Sequence, residues 1–217
     1  NYTNRGVRMT VENPFVVHAA ERDAELLACE LPGRESRRNE PRFLTLQAAA
    51  EALFPVLAPV LNDGVRYVLV GHSMGTWMLY EFLKLLVERG VALPAQLIVS
   101  SFPPPSIPFD ERPWRPNKGM DDAAFKDECR TWGVNEVLLK SGAMWKQYEG
   151  MMRDDFTLFD AYEHTPMGTK LSIPIAAYYA RDDQNVKKHH VEGWAGLTSA
   201  AFSISEVEGN PLFFYQY

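Results

Sequence analysis

Gly71-His72-Ser73-Met74-Gly75 is the stretch of this sequence best suited to chemistry. The β-branched, aromatic run Arg66–Val70 precedes it and a helical run from Met74 to Glu88 follows. A serine on so tight a strand-to-helix turn is strained, and the residues two before and two after it must be small. The turn lifts the Ser73 hydroxyl clear of the sheet as a nucleophile. The Met74 N–H, at the start of the helix, is then placed to donate to a developing oxyanion. An acyl-transfer serine also needs a base and an orienting carboxylate, in chain order Ser, Asp/Glu, His for this architecture. Arg181-Asp182-Asp183 follows the apolar run Ile173–Tyr179, and Asp183 is the chosen acid.

The base is harder to place. Of five histidines, His72 belongs to the turn itself, while His18 and His164 lie before the serine or in a helical insertion. His189 and His190 follow the acid by six or seven residues and read as surface positions of the next helix. The base is expected just after the last strand, where Glu208-Gly209-Asn210-Pro211 stands. Proline has no basic nitrogen and cannot act as a general base.

These residues need a scaffold, and the periodicity supplies one. Short apolar runs at Glu25–Glu30, Arg66–Val70, Gln96–Ser100, Ile173–Tyr179 and Ala201–Val207 read as strands, with helical runs over Thr45–Leu61 and Met74–Glu88 between them. The alternation predicts an α/β fold with a mostly parallel sheet and helices on both faces. Phe102-Pro103-Pro104-Pro105-Ser106-Ile107-Pro108 interrupts it. Asp121 to about Glu163 is helical again and rich in Met and aromatic residues, which suits a lid. The predicted division is a core over residues 1–105, a lid over 106–165 and the rest of the core over 166–217.

Composition bounds the function. The 217 residues carry 22 Lys+Arg against 28 Asp+Glu, a net charge of −6, and 46% apolar residues. One globular domain is expected, and the acidic balance argues against non-specific nucleic-acid binding. Cys29 and Cys129 lack metal-ligand spacing, so no metal site is expected and a reducing compartment is the simpler reading. No apolar run reaches the roughly 18 residues of a membrane span.

Several blocks together resemble the type II thioesterases of the α/β-hydrolase superfamily, the editing enzymes that accompany polyketide, fatty-acid and non-ribosomal peptide synthases. Leu31-Pro32-Gly33-Arg34-Glu35-Ser36-Arg37 with Glu40-Pro41 resembles that family's LPGRE-x-R…EP segment, and Gly71–Gly75 its GHSMG turn. Arg153-Asp154-Asp155-Phe156 with Tyr162 resembles its lid block. Ala180–Val186, with Trp194 beyond, resembles its acid loop. The resemblance runs from about Ala24 to the C-terminus. It implies an α/β-hydrolase fold with an all-helical lid, Ser73 as nucleophile, Asp183 as acid and Met74 N–H as an oxyanion donor.

The same resemblance implies an acyl thioester on the phosphopantetheine arm of an acyl or peptidyl carrier protein as substrate. It implies no cofactor, a monomer, and an acyl chain walled by the lid, with Met144, Met151 and Phe156 as contacts. A cytoplasmic location follows, or an organelle lumen if a targeting segment belongs to the gene product. Arg34, Arg37, Arg38 and Arg42 are a candidate carrier contact or a solvated basic loop, and Arg34 with Glu35 is equally a candidate for a structural role within the turn. Two departures stand out. Pro211 occupies the position of the family's histidine, and the family's first strand is missing, with only Tyr2–Gly6 as a possible remnant of its oxyanion loop. The alternatives are a catalytically impaired homologue that binds acyl chains or carriers, and an esterase or acyltransferase on small soluble substrates.

Overall fold

A computed structural model describes residues 24–212. His18, Tyr2–Gly6 and Phe213-Phe214 lie outside the described residues. The chain divides into two units, with the boundary between Phe43 and Leu44.

In the first unit, residues 24–43 form no strand. This corrects the expectation for Glu25–Glu30: Leu26 and Leu27 are exposed there, and without a pairing partner among the described residues the apolar run has no ladder to join. The Leu31–Pro41 segment is instead a self-bonded turn. The buried Glu30 carboxylate accepts from the Ser36 N–H at 2.8 Å and the Ser36 hydroxyl at 2.6 Å. Arg37 donates to the Glu30 carbonyl at 2.8 Å and to Glu40 at 2.9 Å. Gly33 sits at φ +82, and a Cβ there would lie 2.1 Å from Arg42 Cγ. Of the four arginines, Arg34 and Arg37 are therefore committed to the turn, Arg34 through the Pro32 carbonyl at 3.0 Å.

Among its described residues the second unit holds a four-stranded, all-parallel sheet in the order β1 (Val68–His72), β2 (Gln96–Ser100), β3 (Ile175–Ala180), β4 (Phe202–Val207). Helix α1 (Leu46–Leu61) starts at Thr45, whose hydroxyl accepts from the Ala48 N–H, and buries Leu46, Ala49 and Ala50. Helix α2 (Gly75–Glu88) packs against α1 and β1 and buries Trp77, Tyr80, Phe82, Leu83 and Leu86. The short α6 (Lys188–Glu192) packs on β3 and β4.

Between β2 and β3 the strand pattern gives way to α3 (Asp122–Thr131), α4 (Glu136–Lys140) and α5 (Gly142–Asp160), all inside residues 106–165. Asp121, Asn135 and Ser141 cap them. Their interior is aromatic: Phe156 meets Phe125 edge-on at 5.2 Å and Phe159 at 5.0 Å, and Phe102 stacks on Trp114 at 5.1 Å. Two indoles fasten the proline-rich entry to this insertion. Trp77 donates to the Pro103 carbonyl at 2.8 Å and Trp194 to the Phe102 carbonyl at 2.9 Å.

Because every strand runs the same way, one edge of the sheet collects the ends of all four. Ser73, Ser101, Asp183 and Gly209 to Pro211 leave the sheet on that side, where parallel sheets place their sites.

Candidate active site

Ser73 sits at φ +50, the left-handed region that costs a side-chain-bearing residue about 1 kcal/mol or more. Three hydrogen bonds hold it there. Its N–H donates to the Ser100 carbonyl at 2.9 Å, and its carbonyl accepts from the Thr76 N–H at 2.9 Å and the Thr76 hydroxyl at 2.8 Å. Gly71 is required by this crossing, since a Cβ would lie 2.9 Å from Thr76 Cα and 3.0 Å from Thr76 N. The expectation that the second small residue is equally necessary is corrected: among the described residues a Cβ on Gly75 meets nothing within 4 Å. Met74 is helical, at φ −49 and ψ −30, and its N–H donates to no acceptor among the described residues. That leaves it available to an oxyanion beside Ser73.

Asp183 follows β3 on a tight turn closed by its own N–H to the Ala180 carbonyl at 3.3 Å. It is 1% exposed. Its Oδ1 accepts from the Asn185 and Val186 N–H groups, both at 2.9 Å, whereas Oδ2 is buried without a partner among the described residues. Burial raises its pKa above the usual carboxylate value, and the two N–H donors and the Lys187 ammonium partly offset the rise. The loop is anchored on both sides. Asn185 Nδ2 donates to Thr131 Oγ1 on α3 at 2.8 Å, and the Asp182 N–H donates to the Gly209 carbonyl at 3.0 Å. Thus the acid loop is bonded directly to the turn that carries Pro211, a buried residue.

None of the described histidines fills the base position. His72 Nδ1 lies 3.2 Å from Ser100 Oγ beneath the turn, and burial pulls its pKa down to about 4, so the ring is neutral at pH 7. His164 packs on Tyr80, with ring centroids 5.3 Å apart. His190 Nδ1 accepts from the Lys187 N–H at 2.9 Å as part of the start of α6, and His189 lies against it.

The proposed acyl contacts separate by environment. Met144 is 38% exposed and Met151 half-buried, while Phe156 is enclosed in the aromatic interior of the helical insertion. Two cavities of about 110 and 130 Å³ lie elsewhere and have neither Ser73 nor Asp183 among their walls. Among the described residues there is no group of three or more His, Cys, Asp or Glu that could hold a metal, and no helix long and apolar enough to cross a membrane. Sequence reasoning missed Ser101, which is also left-handed at φ +51, and Asn185, which ties the acid loop to α3. For Ser101 the one signal was its place between a strand and a proline run.

The sequence pattern of the thioesterase domain matches residues 16–216. The chain belongs to that family. This thioesterase has the α/β-hydrolase fold and falls, by family, in the serine thioesterase class of hydrolases. It is 26% identical over 200 residues to the gramicidin S biosynthesis protein GrsT of Aneurinibacillus migulanus, covering 92% of this chain and 76% of that protein. It is 29% identical over 186 residues to thioesterase PikA5 of Streptomyces venezuelae, covering 85% of this chain and 64% of PikA5. Among solved structures, the RedJ thioesterase of the prodiginine pathway in Streptomyces coelicolor matches with a TM-score of 0.78 at 28% identity, over 88% of this chain and 69% of RedJ. These relatives make type II thioesterases the group it resembles.

Proposed function

We propose that this thioesterase releases acyl groups from the phosphopantetheine arm of a carrier protein, with Ser73 as nucleophile. The observation that carries this reading is the strained Ser73, raised at the carboxyl end of β1 with an unengaged N–H on the next residue. Ser73 Oγ attacks the thioester carbonyl, the oxyanion accepts from Met74 N–H, the thiol leaves, and water releases the acid from the acyl-enzyme. A thioester is already a good electrophile, so positioning and oxyanion stabilisation supply much of the acceleration. Met144 and Met151 offer adaptable apolar contacts to the acyl chain, whereas Phe156 shapes the wall from within the insertion. The exposed Arg38 is the carrier contact favoured among the four arginines. No cofactor enters this chemistry, and a monomer suffices for it.

The test is acyl release from a carrier-bound thioester. Ser73→Ala is expected to abolish it; release undiminished in that variant rejects the reading. Comparison with coenzyme-A-bound and simple ester substrates separates carrier specificity from a general esterase.

A second reading, an acyl- or carrier-binding homologue with impaired catalysis, is favoured by Pro211 and by an Asp183 Oδ2 that has no partner among the described residues. Under it a fluorophosphonate labels Ser73 slowly or not at all, and Pro211→His accelerates both labelling and hydrolysis. Fast labelling of the unaltered chain favours the first reading.

A further inference from the structure

Asp183 takes its orientation from two backbone donors. Oδ1 accepts from the Asn185 and Val186 N–H groups, and Oδ2 has no partner among the described residues. Whatever fixes the backbone at 185 and 186 therefore fixes the carboxyl. Val186 is held by its fully buried side chain. Asn185 is held by a bond: its Nδ2 donates to Oγ1 of Thr131, the last residue of α3, at 2.8 Å. The Thr131 hydroxyl gives its own proton to the Glu128 carbonyl at 2.8 Å, so toward Asn185 it can only accept. One residue thus bonds the acid through its main chain and the helical insertion through its side chain.

The same end of α3 also reaches the second loop of the site. Gly133, at φ +79, lies against the turn that carries Pro211, where a Cβ on it would stand 3.5 Å from Leu212 Cδ1. The Asp182 N–H bonds those two loops to each other through the Gly209 carbonyl. Acid loop, Pro211 turn and the end of α3 therefore meet pairwise. We infer that Asn185 is a positioning residue for Asp183: its carboxamide, seated on Thr131, makes the end of α3 set the direction of the acid. The inference rests on the proposed role of Asp183 as the acid. The helical insertion then has a task besides the proposed acyl wall, because α3 must be docked for the Oδ1 donors to keep their alignment.

The test reads Asp183 itself, through its carboxyl carbon signal in an NMR titration, assigned with Asp183→Asn. Asn185→Ala removes the carboxamide and keeps the backbone donor. Thr131→Val removes the acceptor from α3 in a side chain of the same shape, and Thr131→Ser keeps it. None of these changes a charge, and the Lys187 ammonium that donates to the Asp183 carbonyl stays in place, so only the alignment of the Oδ1 donors differs. Asn185→Ala and Thr131→Val are each expected to raise the proton affinity of Asp183 about threefold. The double variant should move it no further than either alone, and Thr131→Ser should titrate like the unaltered chain. Hydrogen exchange at the Asn185 and Val186 amides should accelerate about tenfold in Thr131→Val, with the β3 amides unchanged. A titration unmoved by Thr131→Val or by Asn185→Ala, additive shifts in the double variant, or exchange that rises equally through the sheet overturns the inference. So does a Thr131→Ser variant that titrates like Thr131→Val. Neither measurement uses hydrolysis. A chain that releases no acyl group would reject the proposed function, and the titration would still decide the role of Asn185.

Discussion

At Ser73 the side chain that does the chemistry is also the one that strains the backbone. Ser73→Gly removes both, so it is expected to abolish acyl release while stabilising the fold by about 1 kcal/mol, read as a higher unfolding midpoint. The flanking glycines, alike in the motif, differ in the structure. Gly71→Ala forces a Cβ against the Thr76 backbone and is expected to cost about 1–3 kcal/mol. Gly75→Ala opens a helix into free space and is expected to be neutral or to stabilise by up to about 1 kcal/mol, measured in the same unfolding experiment. The motif made Ser73, Met74 and Gly71 legible because their spacing encodes a local turn. It could not distinguish Gly75, whose surroundings are set by chain far away. Nor could it flag Ser101, whose left-handed backbone is fixed by bonds from two neighbouring strands rather than by its own sequence.

Elements were legible wherever their period was local, and shifted wherever pairing decided. β1 runs to His72 instead of stopping at Val70, because Gly71 and His72 still pair with Val99 and Ser100. α1 keeps its helix through Pro55 and Pro59, against their propensity, because its face is buried on α2. Glu25–Glu30 had the composition of a strand and no partner among the described residues. The helical insertion was readable as helical, but its fastening was not. Arg112 donates to the Phe159, Asp160 and Tyr162 carbonyls at 2.9, 3.0 and 2.7 Å, closing the C-terminal end of α5. Arg112→Ala leaves those carbonyls unmet and is expected to cost about 2 kcal/mol. Limited proteolysis should then cut first within residues 106–165. Arg112→Lys should recover only part of the loss, since one ammonium cannot match the planar fork that reaches three acceptors.

Across the whole molecule, the two groups that flank the site pull stability in opposite directions with pH. Asp183 has its pKa raised by burial, so the folded chain holds its proton more tightly than the unfolded chain does. Its contribution is fully present below the unfolded carboxyl value and is lost as pH rises through the higher folded value. His72 is the reverse case. With its folded pKa pulled down to about 4, it contributes stability above the ordinary histidine value that is lost as pH falls from about 6.5 toward 4. His164 and His190, also lowered by burial, act with it, and Asp160, raised by burial, acts with Asp183. Removing each charge therefore has a signature that a packing defect would not mimic. His72→Gln is expected to flatten the acid limb of the unfolding-midpoint profile by on the order of 2 kcal/mol between pH 6.5 and 4. Asp183→Asn keeps an oxygen for the Asn185 and Val186 N–H groups. It is expected to raise the midpoint at pH 7 relative to the unaltered chain, with the gain vanishing once Asp183 is protonated in both states. Scanning the midpoint of the three proteins from pH 4 to pH 8 tests both. A loss at pH 7 in Asp183→Asn would mean that the buried carboxylate is held by a donor strong enough to outweigh its desolvation. The site would then be built to keep that charge even without a histidine at 211.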